Sequence, residues 1–297
     1  MRLPPVTVIC LCYNQERFVR ESILSVLNQN YPNIQLVVID DASLDNSVGV
    51  ITEILEEYPQ IRFIPLQANS GSCRAFNHGL LFAYGEYIID LAADDILLPD
   101  RIYKGVLALT KAGDTFGINF TDADWIQENG SPVFRHSQRF PHHTIPEGNI
   151  YRFLIERFFI CSPTMMFRRK VMDSLGGYDE RLAYEDFDFW IRSSRNYHYC
   201  YSPEVLVKKR IVKNSMSARQ FTFLSPQLTS TFLVCEKIMI LNRNREEQKS
   251  LGNRIRYEMG VCLRFLNFPL MLRYAGLYLR NRSRKYRKLS LLPEEIY

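Results

Sequence analysis

The amino-terminal third of the chain alternates between short apolar runs and stretches in which apolar residues recur about every 3.6 positions. The apolar runs are continuous and rich in Val and Ile, as in strands buried on both faces of a parallel sheet; they span residues 6–11, 36–39, 61–65 and 87–92. The periodic stretches predict helices at residues 18–27, 50–55 and 75–84. This order predicts an α/β fold in which right-handed crossovers place helices on both faces of the sheet.

Two of the predicted strands end in a pair of acidic residues. Asp40 and Asp41 follow the second strand, and Asp94 and Asp95 follow the fourth. Because the carboxyl ends of parallel strands meet at one edge of the sheet, where open α/β sheets bind ligands, both pairs are expected in one crevice. Adjacent carboxylates repel each other, and a hard divalent cation such as Mg²⁺ or Mn²⁺ relieves that repulsion. The alternative for Asp94 and Asp95 is a helix N-cap ahead of residues 99–100.

The sequence contains no Gly-rich phosphate-binding loop, since no segment reads G-x-G-x-x-G or G-x-x-x-x-G-K-[ST]. This argues against a dinucleotide-dependent dehydrogenase and against a P-loop enzyme. Phosphate charge in the predicted crevice would therefore be met by a metal ion and by basic side chains. We interpret the crevice as a site for a nucleotide together with its metal.

Five linked segments, in consistent order and spacing over residues 4–217, resemble the inverting family 2 glycosyltransferases of GT-A fold. They are residues 6–14, 39–45, 69–79, 92–101 and 176–190. The fourth contains Ala92-Ala93-Asp94-Asp95, similar to the family's D-x-D region, and the fifth contains Tyr184-Glu185-Asp186, similar to its acceptor-side E-D motif. The resemblance implies a single Rossmann-like, mostly parallel sheet flanked by helices over residues 1–220. A carboxyl-terminal helical appendage follows over residues 221–297.

The resemblance also implies which residues bind the donor. Leu11 and Tyr13, at the end of the first strand, correspond to residues that contact the nucleotide base, which we expect to be uracil. Asp41 corresponds to the acid that hydrogen-bonds the base or the ribose, and Asp94 to the acid near the ribose and the donor sugar. Arg74 lies on the third segment, where it either pairs with a donor phosphate or belongs to a solvated helix face.

Three further acidic residues correspond to the family's chemical groups. Asp95 resembles the ligand of Mn²⁺ or Mg²⁺ at the pyrophosphate, and Asp186 the general base for the acceptor hydroxyl, with Glu185 orienting the loop or the acceptor. The expected reaction transfers a sugar, with inversion, from a nucleotide-diphosphate donor, a UDP-sugar in the first place. The acceptor would be a saccharide or a lipid-linked oligosaccharide in surface polysaccharide synthesis. The alternative is a GT-A-like domain that binds a nucleotide or glycan without turnover.

Two features depart from the family pattern. After the last strand the family often reads R-x-H, with the His near the metal or pyrophosphate, whereas this chain has Arg210-Ile211-Val212. We expect Arg210 or Lys213 to replace the lost contact with a cation, which would weaken metal dependence. Asp122-Ala123-Asp124 is a more literal D-x-D than the pair at Asp94, but no family motif precedes it. We therefore place it outside the donor site, near the acceptor loop.

Composition and the carboxyl-terminal segment indicate where the protein acts. Seven cysteines without a C-x-x-C pair indicate reduced thiols and a cytoplasmic protein, and the amino terminus does not resemble a signal peptide. Residues 243–297 hold thirteen Lys and Arg against five Glu. Amphipathic helices are predicted over residues 221–241, 251–268 and from Pro269 onward.

An apolar stripe that runs into a basic cluster is typical of a helix lying on an anionic membrane surface. We therefore expect the carboxyl-terminal segment to contact the inner face of a membrane. The alternative is a helical hairpin packed on the catalytic domain, with a solvated basic end. The segment lacks a recognised nucleic-acid-binding fold, so no nucleic-acid partner is expected.

Overall fold

The computed structural model describes residues 3–140, 142, 144–213 and 225–285 of the chain. Its strands are β1 (Val6–Cys12), β2 (Ile34–Asp40), β3 (Arg62–Pro65), β4 (Tyr87–Ala92), β5 (Ile96–Leu97), β6 (Phe116–Ile126), β7 (Pro132–Arg135), β8 (Met166–Arg168) and β9 (His198–Arg210). Its helices are α1 (Val19–Leu27), α2 (Ser47–Glu57), α3 (Ser72–Leu80), α4 (Arg101–Ala112), α5 (Tyr151–Glu156), α6 (Arg169–Leu175), α7 (Glu185–Ser193), α8 (Pro226–Leu241), α9 (Arg245–Arg264) and α10 (Phe268–Ser283). The strands and helices predicted for the amino-terminal third are all present.

The described strands form one sheet, in the order β3-β2-β1-β4-β8-β6-β9-β5, with β7 paired to the end of β6. The strands from β3 to β4 are mutually parallel, as predicted. Beyond them β8 runs antiparallel to both β4 and β6, while β9 runs parallel to β6. This half of the sheet is mixed: β5 runs antiparallel to β9, and β7 runs antiparallel to β6, as the short hairpin link between them requires. The α/β fold is confirmed.

Each face of the sheet carries its own apolar core. In β1, Val8 and Cys10 face α1, α2 and α4, whereas Ile9 faces α3 and the carboxyl-terminal helices. Helix α3 approaches the sheet closely at Gly79, where an added Cβ would come within 2.8 Å of Ile9 Cγ2. The continuous apolar runs of the sequence therefore reflect strands covered on both faces.

The carboxyl-terminal helices α8, α9 and α10 pack into the same core as the amino-terminal fold. Phe232 of α8 and Leu277 of α10 are buried in one cluster with Phe187 of α7. In the part of the chain that the structure describes, no helix is long and apolar enough to cross a bilayer. The appendage is thus continuous with the side of the sheet that carries α7.

Helix boundaries in this region differ from the sequence expectation. Helix α9 begins at Arg245, because the Asn244 side chain caps it by accepting a hydrogen bond from the Glu247 amide at 2.9 Å. The first turn of α9 is polar, so the spacing of apolar residues does not reveal it. That spacing predicts a start at residue 251 instead. The predicted start of α8, at residue 221, lies outside the described residues.

Charged side chains fasten α8 and α9 to α7 and to the loop before it. The ammonium of Lys237, on α8, lies 2.7 Å from a carboxylate oxygen of Asp179 and 2.5 Å from one of Asp188. On α9, the guanidinium of Arg254 lies over the rings of Phe158 and Phe187, 4.1 and 4.8 Å from their centroids. Because α7 carries the E-D motif, the carboxyl-terminal helices support the position of that motif.

A shared core predicts that a cavity in α10 destabilises the whole chain. Leu277→Ala removes a fully buried side chain and should lower the free energy of unfolding by about 2–5 kcal/mol. Leu279→Ala, on the exposed side of the same helix, is the matched control and should change it by about 0.5 kcal/mol or less. Urea denaturation followed by circular dichroism and by tryptophan fluorescence measures both. If Leu277→Ala shifted only the circular-dichroism transition, α10 would be a separately folding unit.

Candidate active site

The loops that follow β1 and β2 form a cross-linked rim at the carboxyl edge of the sheet. Asn14 and Ala42, just beyond the two strands, adopt left-handed backbone conformations with φ of 54° and 60°, which costs free energy for residues other than glycine. The Asn14 amide donates to Ser43 Oγ at 2.9 Å, and the Leu44 amide donates back to Asn14 Oδ1 at 2.7 Å. These hydrogen bonds hold the strained rim in one conformation.

Tyr13 and Leu11 end β1 at this rim. Tyr13 is 42% exposed, so its ring is accessible to a planar group. Leu11 is only partly buried, and its carbonyl oxygen accepts a hydrogen bond from the Ala93 amide at 2.9 Å. That bond ties the end of β1 to the segment that bears Asp94 and Asp95.

Asp41 holds the loop that leads into α3. One of its carboxylate oxygens accepts hydrogen bonds from the amide and the hydroxyl of Ser70, at 2.7 and 2.9 Å, and the other accepts one from the Gly71 amide at 2.8 Å. A carboxylate offers about four acceptor sites, so Asp41 retains acceptor capacity for one further donor. Asp41 therefore fixes the wall of the crevice and can still contact a ligand.

Arg74 and Asn77, on the following helix α3, contact the loop before α7. Arg74 Nε lies 3.2 Å from a carboxylate oxygen of Glu180, and both side chains are largely exposed. The Asn77 side-chain amide donates to the Tyr178 carbonyl at 3.0 Å and accepts from the Tyr178 amide at 2.9 Å. Asn77 is thus a structural clasp, and Arg74 lies on a solvated helix face.

Asp94 and Asp95 lie beside β9, just past the end of β4. Asp95 is 2% exposed, and its Oδ1 accepts a hydrogen bond from the Arg210 amide at 2.8 Å. Burial raises the pKa of Asp95 to about 7, against the opposing charge of Lys209. Burial also raises the pKa of Asp94, and Lys209 and Arg210 counteract that rise. The pair is thus a buried acidic site that needs positive charge nearby to ionise fully.

The E-D motif begins α7 and faces the same crevice. Ser162 Oγ donates to Asp186 Oδ2 at 2.5 Å. Burial raises the pKa of Asp186, while the Ser162 hydrogen bond and the Lys209 charge lower it. Burial, and then the charge of Asp186, raise the pKa of Glu185 to about 7, and Glu185 accepts a hydrogen bond from Ser72 Oγ at 3.2 Å. An acid whose pKa is raised toward neutrality suits general-base chemistry.

Lys209 lies at Asp95, and its charge also acts on Asp94 and Asp186; sequence reasoning missed it. Its ammonium lies 4.0 Å from Asp95 Oδ2 and 5.6 Å from the centroid of the Trp125 ring. Burial alone would lower the pKa of Lys209, but the charges of Asp95, Asp94 and Asp186 outweigh burial and raise it. The available signal was the run of three cations, residues 208–210, at the end of an apolar strand.

The sequence suggests Arg210 or Lys213 as the cation that replaces the lost contact. The Arg210 guanidinium donates to the main-chain carbonyl of Asp94 at 3.0 Å, to the carbonyl of Glu128 at 2.9 Å and to Glu21 at 2.6 Å, and its charge lowers the pKa of Asp94 and of Asp95. Lys213 is exposed at the end of the strand. Lys209 directly precedes Arg210, so alternation along the strand turns its side chain to the opposite face, toward Asp95 Oδ2.

Asp122 and Asp124 lie within β6 rather than at a strand end. Asp122 is buried, and its Oδ1 accepts hydrogen bonds from the Ala123 and Ser137 amides at 2.9 and 3.0 Å. Asp124 faces Arg135 at 3.6 Å. Both carboxylates of the literal D-x-D therefore contact groups of β6 and of the segment that follows it. These contacts agree with its placement outside the donor site.

A further carboxylate that the motifs did not reveal lies beneath the E-D motif. Asp90, on β4, accepts a hydrogen bond from the Tyr178 hydroxyl at 2.9 Å. Burial, and then the charge of Glu185, raise its pKa well above the ordinary value. Asp90 is therefore held toward its neutral form, and it positions Tyr178 rather than adding another full charge to the crevice.

The acidic pair fits a divalent cation whose other ligands are phosphate oxygens and water. Among the described residues no cluster of three or more His, Cys, Asp or Glu side chains could enclose a metal. Asp95 Oδ2, however, faces the crevice toward Lys209. Carboxylate oxygens suit Mg²⁺ and Mn²⁺, which commonly bind through one or two carboxylates plus phosphate oxygens and water. Asp95, with Asp94 beside it, meets that requirement.

The comparisons with known sequences agree on one family. Residues 7–176, more than half of the chain, match the model for Glycosyl transferase family 2. An uncharacterised glycosyltransferase of Methanocaldococcus jannaschii is 31% identical over 215 residues, which are 71% of this chain and 72% of that protein. A putative teichuronic acid biosynthesis glycosyltransferase of Bacillus subtilis, TuaG, is 26% identical over 73% of this chain and 83% of its own length.

The fold is shared with solved glycosyltransferases. A mannosyltransferase from Pyrobaculum calidifontis, in complex with GDP-Man and Mn²⁺, superposes with a TM-score of 0.63 at 18% identity, over 96% of this chain and 77% of that one. S. aureus TarS, residues 1–349 in complex with UDP-GlcNAc, gives 0.63 at 16% identity, over 97% and 95%. In another TarS structure the match spans 54% of the solved chain. The chain belongs to glycosyl transferase family 2 and is a glycosyltransferase of GT-A fold.

Proposed function

We propose that the protein is an inverting transferase that moves a sugar from a nucleotide-diphosphate donor to a hydroxyl of a saccharide or lipid-linked acceptor. The observation that carries the proposal is a buried group of acids around Lys209: its ammonium lies 4.0 Å from Asp95 Oδ2, and its charge also lowers the pKa of Asp186, which the Ser162 hydroxyl holds at 2.5 Å. An acid with a raised pKa suits the role of the base, and the acid pair Asp94 and Asp95 suits a metal-bound diphosphate. This combination favours turnover over a non-catalytic binding domain.

The reaction requires one base and a stabilised leaving group. Asp186 takes the proton of the acceptor hydroxyl while the acceptor oxygen bonds to the anomeric carbon. The bond from that carbon to the phosphate oxygen breaks, and its electron pair leaves with the nucleoside diphosphate. Ser162 holds the carboxylate of Asp186 in place by its 2.5 Å hydrogen bond. When bound at Asp95, a divalent cation such as Mn²⁺ or Mg²⁺ would neutralise negative charge on the diphosphate.

The donor side is built for a nucleotide. Tyr13 offers an accessible ring for the base, Asp41 has acceptor capacity left for a base or ribose donor, and Asp94 lies at the start of the acidic site. We propose a UDP-sugar as the donor, in line with the UDP-GlcNAc complex of TarS; GDP is the competing nucleotide, as in the P. calidifontis complex. Arg74 lies in an ion pair with Glu180, so we assign it no phosphate contact.

We further propose surface polysaccharide synthesis at a membrane, in a reducing compartment where the buried cysteines stay free. The relation to TuaG supports the pathway class. The membrane contact would be the tip between α9 and α10, which exposes Leu263, Leu266, Phe268 and Leu272 beside Arg264. Leu266, at the point of this tip, holds a left-handed conformation with φ of 55° that keeps its side chain exposed. Apolar side chains beside basic ones match an anionic bilayer surface.

Calorimetric titration with UDP, GDP and dTDP, with and without Mn²⁺, tests the donor site. One nucleotide should bind, more tightly with Mn²⁺, and Asp95→Ala should remove the Mn²⁺ enhancement, because it removes the proposed ligand. Asp124→Ala is the matched control, since that acid lies in the other D-x-D and pairs with Arg135. Asp186→Asn should retain nucleotide binding and lose ~10²–10⁴ in transfer rate. Failure of the wild type to bind any of the three nucleotides would contradict the proposal.

The pH dependence of transfer should follow Asp186. A general base acts when deprotonated, so the rate falls as the pH drops through its pKa, and burial places that fall above the range of an ordinary carboxylate. Ser162→Ala removes a hydrogen bond to the ionised form and should therefore move the acid limb of kcat/KM to higher pH. Ser174→Ala, whose hydroxyl donates to the Val171 carbonyl on α6, is the control. An unmoved limb in Ser162→Ala would exclude Asp186 as the titrating base.

Vesicle sedimentation tests the membrane contact. The wild type should bind phosphatidylglycerol-rich vesicles and release them at high salt. Leu266→Asp should weaken binding by roughly tenfold or more, because it removes an inserting apolar side chain and adds a repelled charge. Leu81→Asp, at an exposed leucine next to α3, is the matched control and should bind as the wild type does. Equal binding by both variants would place the contact elsewhere or exclude it.

A further inference from the structure

We propose that Lys209 is a built-in counter-ion for the donor diphosphate. Its ammonium would pair with the diphosphate and share with the divalent cation the task of neutralising the leaving group. The inference rests on the proposed function, because it concerns the donor of that reaction. It predicts that donor binding persists in part when divalent metal is removed.

The position of Lys209 supports this role. It is carried by β9, between the acid pair and α7, with its ammonium 4.0 Å from Asp95 Oδ2 and its side chain 21% exposed. Asp95 Oδ1 is already occupied by the Arg210 amide, so Oδ2 is the oxygen left for a cation. The ammonium of Lys209 and a divalent cation would therefore compete for the same oxygen.

The charge balance of the crevice also points to Lys209. Asp94, Asp95 and Asp186 all experience its charge, which lowers the pKa of each. The neighbouring guanidinium of Arg210 is already hydrogen-bonded to Glu21 and to the main-chain carbonyls of Asp94 and Glu128. A diphosphate that enters this acidic crevice needs positive charge at hand, and Lys209 is the side chain placed to provide it.

The chemistry of lysine allows the exchange of partners. Its ammonium is a compact charge with three donors on a flexible stem, and 4.0 Å to Asp95 is an ion-pair contact rather than a hydrogen bond. Arrival of the diphosphate would draw the ammonium from Asp95 to a phosphate oxygen, with a charge-assisted hydrogen bond. Asp95 Oδ2 would then be open to the divalent cation. Val212, in place of the family's histidine, leaves this part of the strand without an imidazole.

Nucleotide binding without metal is the first part of the test. UDP, GDP and dTDP are titrated calorimetrically into the full chain in EDTA and in Mn²⁺, for the wild type, Lys209→Met, Lys209→Arg and Lys208→Met. In EDTA, Lys209→Met should bind the preferred nucleotide roughly tenfold more weakly than the wild type, or worse. Lys209→Arg should retain part of the affinity. Lys208→Met, one position along β9 on the other side of the strand, should match the wild type.

Binding of Mn²⁺ alone is the second part, and it separates a counter-ion from a structural lysine. Without nucleotide, Lys209→Met should bind Mn²⁺ more tightly than the wild type, because the ammonium that competes for Asp95 Oδ2 is gone. If Lys209 only maintained the fold, its loss would weaken both nucleotide binding and Mn²⁺ binding. Lys209→Arg would then not restore nucleotide binding in preference to Mn²⁺ binding. Thermal melts of all variants report such a loss of structure directly.

Two results would overturn the inference alone: wild-type affinity of Lys209→Met for the nucleotide in EDTA, or complete dependence of wild-type nucleotide binding on Mn²⁺. In both cases the donor site itself would stand, since the wild type still binds with Mn²⁺. If the wild type bound no nucleotide under any condition, the proposed function would fail as well.

Discussion

Negative charge in a partly buried crevice is the constraint on which the rest of this structure depends. Acids from the end of β4 and from the start of α7 are buried there, and burial raises the pKa values of Asp95, Glu185 and Asp186. Such a cluster is stable only if positive charge or hydrogen-bond donors approach it from other parts of the chain. Lys209 and the Arg210 amide, both on β9, provide that compensation. Strand β9 therefore has to reach the segment that follows β4, where Asp95 accepts the Arg210 amide hydrogen bond.

The topology of the sheet brings these positive groups to the acids. The parallel half, from β3 to β4, delivers the loops that hold Tyr13, Asp41 and the acid pair. In the mixed half, β9 pairs with β5, the short strand that directly follows Asp94 and Asp95 in the chain. The residues proposed to bind the nucleotide and those that compensate the buried charge thus come from different halves of one sheet, and neither half would form the crevice alone.

How far the sequence predicts this site depends on the kind of signal each residue leaves. Asp41, Asp94, Asp95 and Asp186 belong to local motifs at strand and helix ends, and the fold brings them to the expected edge. Ser162 leaves no local signal, and the run of cations at residues 208–210 does not say which of them enters the crevice, because that depends on which face of a strand or turn meets an element far away in sequence. The sequence pattern missed the first turn of α9 for a different reason: that turn begins at a polar N-cap, Asn244, and not at an apolar residue.

The guanidinium of Arg254 has a consequence beyond local packing. It lies midway along α9, against the ring of Phe187, the residue directly after Asp186. The same helix ends at the apolar tip that precedes α10. One helix therefore joins the tip proposed to contact a membrane to the helix that bears the proposed base. If that tip binds a bilayer, α9 would fix the orientation of the crevice relative to the bilayer in which a lipid-linked acceptor lies.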